Sequence, residues 1–454
     1  AFDRALEAAQ RLGLLPQQAS ALCGIGQLHL VEAKYVEGRS FGLRCLELAE
    51  QVGAPFPIGA ANDLLAHIAV LSVDFPEAQA RSRRAIAAFE AAGNRAGKAT
   101  AELRLLNSRP QLAPGEAERL LANAVEDARA GHDRTVEATA LHAWADALFS
   151  RGAYDDAYDK LEQARTIYEE TGNRLALGTV FNSLGRIYRA HGQLEEALRL
   201  QLKALELHQA SGTSVELTQS LNAVAAVHGM LGHVKEAGEY YERALVLAEK
   251  TSAPGIQDFL RANVANALIW QGEFDQAVPM LELVIAHGLD AYPSLRQSQL
   301  SFARLKLGQP REALAAAEKA IEICGSVVND CIAGLRERAR ARAALGDQAA
   351  ARADIADAMN RVEKIRTQLV PTDFFKQEFP RTMDSLYSEA IALNVRARED
   401  ARALEAAELA RSRAFVDLLA TRAIDPGASS IVFRGSPGSS GGTGELSSDV
   451  MAAA

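Results

Sequence analysis

A glycine recurs every fortieth residue through the middle of the chain, and that period constrains the fold more than any other feature. Gly152, Gly192, Gly232 and Gly272 each open one short pattern: glycine, any residue, an aromatic or aliphatic residue, two polar residues, alanine. It reads GAYDDA, GQLEEA, GHVKEA and GEFDQA. Gly308 and Gly346 continue the series after 36 and 38 residues. Towards the N-terminus the pattern decays. Val73 takes the glycine place in VDFPEA, Ala33 takes it in AKYVEG, and QLAPGEA fits near residue 112. About nine repeats between residues 15 and 360 follow. A period of this length marks units that cannot bury their apolar face alone and must stack.

Forty residues hold two helices and two turns. Only 6% of residues are aromatic, alanine is abundant, and alternating strand patterns are sparse, so the units read as helix pairs. The recurring glycine sits just past the first helix, where a residue of positive φ caps the last carbonyls at least cost when it lacks a Cβ. A second glycine ends the second helix at Gly53, Gly93, Gly131, Gly172 and Gly212. Ala157, Ala197, Ala237, Ala277 and Ala313 follow the turn by five residues, and Ala164, Ala204, Ala244 and Ala320 come seven later on the same face. Small side chains there let the paired helices approach. The expected fold is all-α, a solenoid of antiparallel helix pairs.

The pattern resembles the tetratricopeptide repeat (TPR) in a forty-residue form. The fullest match is 178–212, where Leu184, Gly185, Tyr188, Gly192, Ala197 and Ala204 occupy that family's large, small, aromatic, Gly, Ala and Ala places. The resemblance covers residues 1 to about 360. It implies a right-handed superhelix whose first helices line a concave groove. It also implies a protein or peptide ligand in that groove.

The opening FDRALEAAQRLG aligns with KALELHQASG of a later repeat. Residues 1–14 are therefore expected to be the second helix of a truncated repeat, in an excerpt of a longer protein. The array is expected over 15–360, long C-terminal helices closing it over 361–424, and a flexible linker rich in Gly, Ser and Pro over 425–454. Pro371 stops ARADIADAMNRVEKIRTQLV, and FFKQEF, LYSEAIAL and ALEAAELARSRAFVDLLATR follow. This order resembles the segment joining repeat arrays to the caspase-like CHAT domain of bacterial TPR–CHAT proteins, over roughly residues 350–450. That resemblance implies a cysteine protease domain beyond residue 454, with the array as its sensor or substrate-recruiting region. The dyad of such a domain falls on no residue of this chain.

Chemistry is harder to find. With 49 Lys and Arg against 58 Asp and Glu the net charge is −9, which argues against general nucleic-acid binding. Arg336, Arg338, Arg340 and Arg342 read as a solvated helix face with carboxylate partners. Cys23, Cys45, Cys324 and Cys331 have neither a disulfide framework nor zinc-ligand spacing, and are expected to be small buried apolar side chains. An offset of seven lets Cys324 and Cys331 share one helix face. His228, His233 and His287 lie beside turn glycines and are expected to meet helix-end carbonyls. GSSGGTG lacks the lysine and the following helix of a phosphate loop. No apolar run reaches the about 18 residues that a membrane-spanning helix needs. The expectation is a binding scaffold in the cytoplasm, with no catalytic constellation, metal or cofactor. Its rivals are a peptide-binding signalling or transcription-regulator module and a plain assembly scaffold.

The working surface is therefore expected on the first helices. Ten residues before the turn glycine lie His142, Asn182, Asn222 and Ser298. Four residues later on the same face come Asp146, Arg186, Asn266 and Phe302. Arg189 and Trp270 lie about one turn further, and Asn263 lies beside the stripe. Asparagine is poor in a helix interior unless its amide is used. An amide can bind a peptide backbone without demanding a side chain, so Asn182, Asn222, Asn263 and Asn266 form a candidate ladder. Arg186, Arg189 and Asp146 would add charge selection. The same amides could instead cap or bridge neighbouring repeats.

Overall fold

Caps and left-handed turns divide the chain into helices. Asp74, Asn94, Asp133 and Asn173 each accept a hydrogen bond from the backbone N–H three residues on, satisfying a donor the new helix leaves open. At the other end, the six repeating glycines from Gly152 to Gly346 all have positive φ, between 73° and 92°. Val73 makes the same turn at φ 60° without being glycine. Gly131 departs from expectation. It stays right-handed, and His132 takes the positive φ of 56° instead. Gly131 is small for another reason: a Cβ there would lie 2.7 Å from the Ala96 nitrogen.

The computed structural model describes residues 2–32, 34–108, 115–211, 214–250, 254–325, 328–368 and 379–421. Among these, all regular structure is helical. Helix α1 (Phe2–Arg11) precedes nine hairpins. They are α2 (Leu15–Val31) with α3 (Tyr35–Gln51), α4 (Pro55–Leu71) with α5 (Phe75–Ala91), and α6 (Arg95–Asn107) with α7 (Glu116–Ala130). Then come α8 (Arg134–Ser150) with α9 (Tyr154–Thr171), α10 (Arg174–Ala190) with α11 (Leu194–Ser211), and α12 (Ser214–Met230) with α13 (Val234–Ala248). The last are α14 (Pro254–Gln271) with α15 (Phe274–His287), α16 (Pro293–Lys306) with α17 (Pro310–Ile323), and α18 (Val328–Ala344) with α19 (Gln348–Gln368). A second compact unit begins at Arg366. There α20 (Phe379–Arg396) packs on α21 (Asp400–Thr421), with Leu386, Tyr387, Ala390, Leu393, Ala403 and Ala406 buried. Residues 425–454, Pro371, Ala33, Gly212 and most of FFKQEF lie outside the described residues.

The repeating alanines are the core of each hairpin. Ala157, Ala197, Ala237, Ala277 and Ala313 are fully buried, as are Ala164, Ala204, Ala244 and Ala320 two turns on. Each hairpin then packs on the next in chain order. First helices also touch first helices: α2 meets α4, α4 meets α6, α6 meets α8, α8 meets α10, α10 meets α12, α14 meets α16 and α16 meets α18. Among the described residues the second helices make no comparable contact with one another. The first helices are thus the closer set, which curves the array towards them and makes them its inner wall.

The cysteines correct the sequence reading. Cys23 of α2 is bonded to Cys45 of α3, with Cα atoms 5.4 Å apart, and Cys324 is bonded to Cys331 at 5.3 Å. Cys324 ends α17 while Cys331 lies in α18, so the pair bridges two helices rather than sharing a face. All four are buried, as expected. Glycines permit the first crossing: a Cβ on Gly38 would lie 3.3 Å from the Gly26 carbonyl. Such pairing is set by how helices cross in space, which spacing along the chain does not reveal.

Candidate functional site

The inner wall carries polar side chains that join one first helix to the next. His142 Nε2 of α8 lies 2.9 Å from Ser183 Oγ of α10. Burial holds the His142 imidazole below its ordinary pKa. Four residues on, Asp146 accepts from Arg186 Nη1 at 3.2 Å, and the Arg186 guanidinium lies 4.4 Å over the Phe149 ring. Asn182 Nδ2 donates to Ser220 Oγ of α12 at 2.8 Å. Ser220 Oγ is 2.7 Å from His208 Nδ1, and His208 Nε2 is 3.2 Å from the Leu175 carbonyl. A carbonyl only accepts, so Nε2 carries a proton and donates to it. His208 is fully buried, so this chain ties α10, α11 and α12 together from inside.

The amides continue along the wall. Asn263 Nδ2 of α14 donates to Asn222 Oδ1 of α12 at 2.9 Å, and Gln299 Nε2 of α16 donates to Asn266 Oδ1 at 3.1 Å. Each amide–amide bond uses one donor and one acceptor, leaving the second half of each asparagine amide for other use. Trp270 is 41% exposed at the end of α14, with its ring against Gly229, where a Cβ would come within 2.3 Å of Cζ3. Phe302 meets Phe274 edge-on at 6.1 Å, with Lys306 and Arg340 over its ring at 5.3 and 5.7 Å. Arg189 is half-buried, and among the described residues no hydrogen bond or ion pair engages its side chain.

Two expectations are corrected. Ser298 is 4% exposed and its hydroxyl donates to the Ser294 carbonyl one turn back, so it faces the packing and not the groove; Gln299 takes its place on the wall. His287 meets a carboxylate rather than a helix end, with Nδ1 2.9 and 3.0 Å from the two oxygens of fully buried Asp258. Ser183, Ser220, His208 and Gln299 were not singled out from sequence. The arginine cluster of α18 does find carboxylates: Arg338 and Arg342 reach Asp354, and Arg340 reaches Glu337.

No group of His, Cys, Asp and Glu able to hold a metal occurs among the described residues. None of the described helices is long and apolar enough to cross a membrane.

The tetratricopeptide repeat family profile matches residues 136–210 and 176–250. Regulatory protein AfsR of Streptomyces griseus is 25% identical over 251 residues, 55% of this chain and 24% of AfsR. Tetratricopeptide repeat protein 29 of Homo sapiens is 22% identical over 129 residues, 28% of this chain and 27% of that protein. The chain therefore spans about a quarter of the length of these relatives. A Rap protein complexed with Competence and Sporulation Factor superposes with a TM-score of 0.55 at 12% identity, over 80% of this chain and 99% of that chain. A signal transduction ATPase of the STAND type, with a tetratricopeptide repeat sensor, from Pyrococcus horikoshii gives 0.53 at 15% identity, over 75% of this chain and 55% of that one. At these identities the likeness is one of fold. The chain is a TPR-type helical solenoid, an architecture typical of protein–protein interaction scaffolds.

Proposed function

We propose that the inner wall receives an extended peptide or protein segment from a partner, and that the array acts as a sensor or recruiting scaffold. The observation that carries this is the paired amides of α12, α14 and α16. The Asn263-to-Asn222 bond occupies Asn222 Oδ1 and one N–H of Asn263, so Asn222 Nδ2 can still donate to, and Asn263 Oδ1 still accept from, a peptide backbone. Exposed Trp270 lies next along α14 and offers a flat apolar surface. The Rap protein complexed with Competence and Sporulation Factor shares this fold over 99% of its own length, which supports a bound partner over an assembly role alone. On the sequence resemblance of residues 350–450, the array would serve a CHAT-type protease; that part of the reading rests on those residues only.

Selection of peptides from a displayed random library tests the proposal. Enriched sequences should compete for one site, and Asn266→Ala and Trp270→Ala should each weaken them about tenfold, as expected for contacts of about 1.4 kcal/mol. Enriched peptides indifferent to both substitutions would place binding elsewhere and sink the groove reading.

A further inference from the structure

We infer that the inner wall from α10 to α18 selects an acidic extended segment, gripped at two points; this rests on the groove reading above. Charge is segregated between the two layers. Helices α10, α12, α14, α16 and α18 hold eleven Lys and Arg against four Asp and Glu, while the outer α11, α13, α15 and α17 hold six against eleven. A chain of net charge −9 thus places a basic excess on its inner layer.

Most of those cations are matched within the fold. Arg296 pairs with Asp290, Arg304 with Glu282, and Arg338 and Arg342 with Asp354. Besides exposed Arg174 at the opening of α10, at the opposite end of that helix from Gly192, two inner cations have no carboxylate partner among the described residues: Arg189 on α10 and exposed Lys306 at the end of α16. They stand three and two residues before Gly192 and Gly308, so both lie at the same level of the wall. Each has an aromatic–cation pair close by in the same layer. Lys306 and Arg340 flank the Phe302 ring, and Arg186, one turn from Arg189, covers Phe149. A cation beside an aromatic face suits an acidic side chain, whose carboxylate takes the charge while its methylenes lie on the ring.

The separation sets a spacing rule. Arg189 and Lys306 are three first-helix steps apart, and neighbouring helices pack at about 8–10 Å, giving about 24–30 Å. An extended chain rises about 3.3 Å per residue, so about seven to nine residues span the gap. Between the two grips the segment would cross the amides of Asn222, Asn263 and Asn266.

The test is fluorescence anisotropy with labelled Gly/Ser/Leu peptides of about 16 residues, carrying two aspartates about 4, 8 or 12 positions apart, or none. The expected result is tightest binding at the middle spacing, about tenfold over the uncharged peptide. Arg189→Glu and Lys306→Glu should each lower it about tenfold, with melting unchanged and with affinity falling as salt rises. If the uncharged peptide binds as well as the acidic ones, acidic selection is wrong and the groove reading stands. If no peptide binds, both fall. Affinity independent of spacing overturns the two-point grip. Tighter binding of a single-stranded oligonucleotide of similar charge overturns the choice of a peptide. A stability loss in the charge variants with affinity intact would assign both cations to their helix dipoles instead.

Discussion

A Cβ on Gly178 would lie 2.4 Å from Nε2 of His208. The bare helix surface at Gly178 is what lets the buried imidazole reach the Leu175 carbonyl on one side and Ser220 on the other. Gly178 is not in a left-handed conformation, so its role is room for a neighbour and not backbone freedom. Gly178→Ala should cost about 1–3 kcal/mol in urea unfolding through forced displacement of the ring. The same change in a His208→Ala background should cost much less, because the clash partner is gone. Additive costs in that double-mutant cycle would contradict the contact.

Val73 holds a left-handed turn that glycine makes elsewhere in the array. Such a conformation costs an L-residue roughly 1–2 kcal/mol. The side chain is 68% exposed, so little packing is lost on removing it. Val73→Gly should raise the urea midpoint by about 0.5–1 kcal/mol of stability, after allowing for the freer unfolded chain. A lower midpoint would mean that the valine packs in a way its exposure does not show.

The fold was legible because one backbone requirement, the left-handed turn, wrote glycine into the sequence at a fixed interval. Where the requirement is met by another residue, as at Val73 and His132, the letter is lost but the turn remains. The wall was only partly legible. His142 with Ser183, Asn222 with Asn263, and Asp63 with Arg104 are all bonded across a separation of 41, one repeat plus one residue. That offset was present in the sequence as polar residues at matching places, but only the packing of first helix on first helix gives it meaning. Ser298 shows the limit: α16 keeps the spacing to the turn, yet the residue at that place turns into the core and Gln299 faces out. The disulfides were out of reach for the same reason, since each depends on a crossing between helices.

The asparagine ladder therefore does two things, and its truncation should show both. Asn182 and Asn222 each bond to a neighbouring first helix. Replacing both by alanine should lower stability by about 1–2 kcal/mol, one ordinary hydrogen bond apiece. Thermal unfolding checks this. A double variant that melts like the parent would show that these bonds contribute nothing net, and would return the amides wholly to ligand binding.

Glu102 introduces a pH dependence. It lies on α6 with 2% exposure, its nearest cation Lys98 at 4.0 Å being held more closely by Asp127. Burial pushes its carboxyl up to about 7, against the weaker pull of Lys98. A folded pKa raised above the unfolded value near 4.5 gives stability that is present below the unfolded value and lost as pH rises through the folded one. Stability should therefore fall between roughly pH 5 and 8, by about 2–3 kcal/mol at most. Glu102→Gln should remove that slope and be the more stable protein at pH 8. His67 acts in the opposite sense: burial holds it down at about 4, so its contribution is lost as pH falls from 6.5 towards that value. Comparing the variant with the parent across the range separates the two, and a slope unchanged by Glu102→Gln would assign it elsewhere.

Trp270 offers a direct optical reading of the wall. It is one of only two tryptophans, and its ring lies over Gly229 on the preceding first helix. A methyl group at that glycine would fall within 2.3 Å of Cζ3, so Gly229→Ala must lift the ring away from α12. The side chain is already 41% exposed, so the core should tolerate the move at a cost of about 1 kcal/mol or less. With Trp144→Phe as background, emission should shift to longer wavelength and become more readily quenched by iodide. If peptide binding uses this ring as a surface, the same substitution weakens affinity while leaving the melting temperature nearly constant. An emission spectrum identical to the parent's would show that the ring does not rest on Gly229, and would remove Trp270 from the wall.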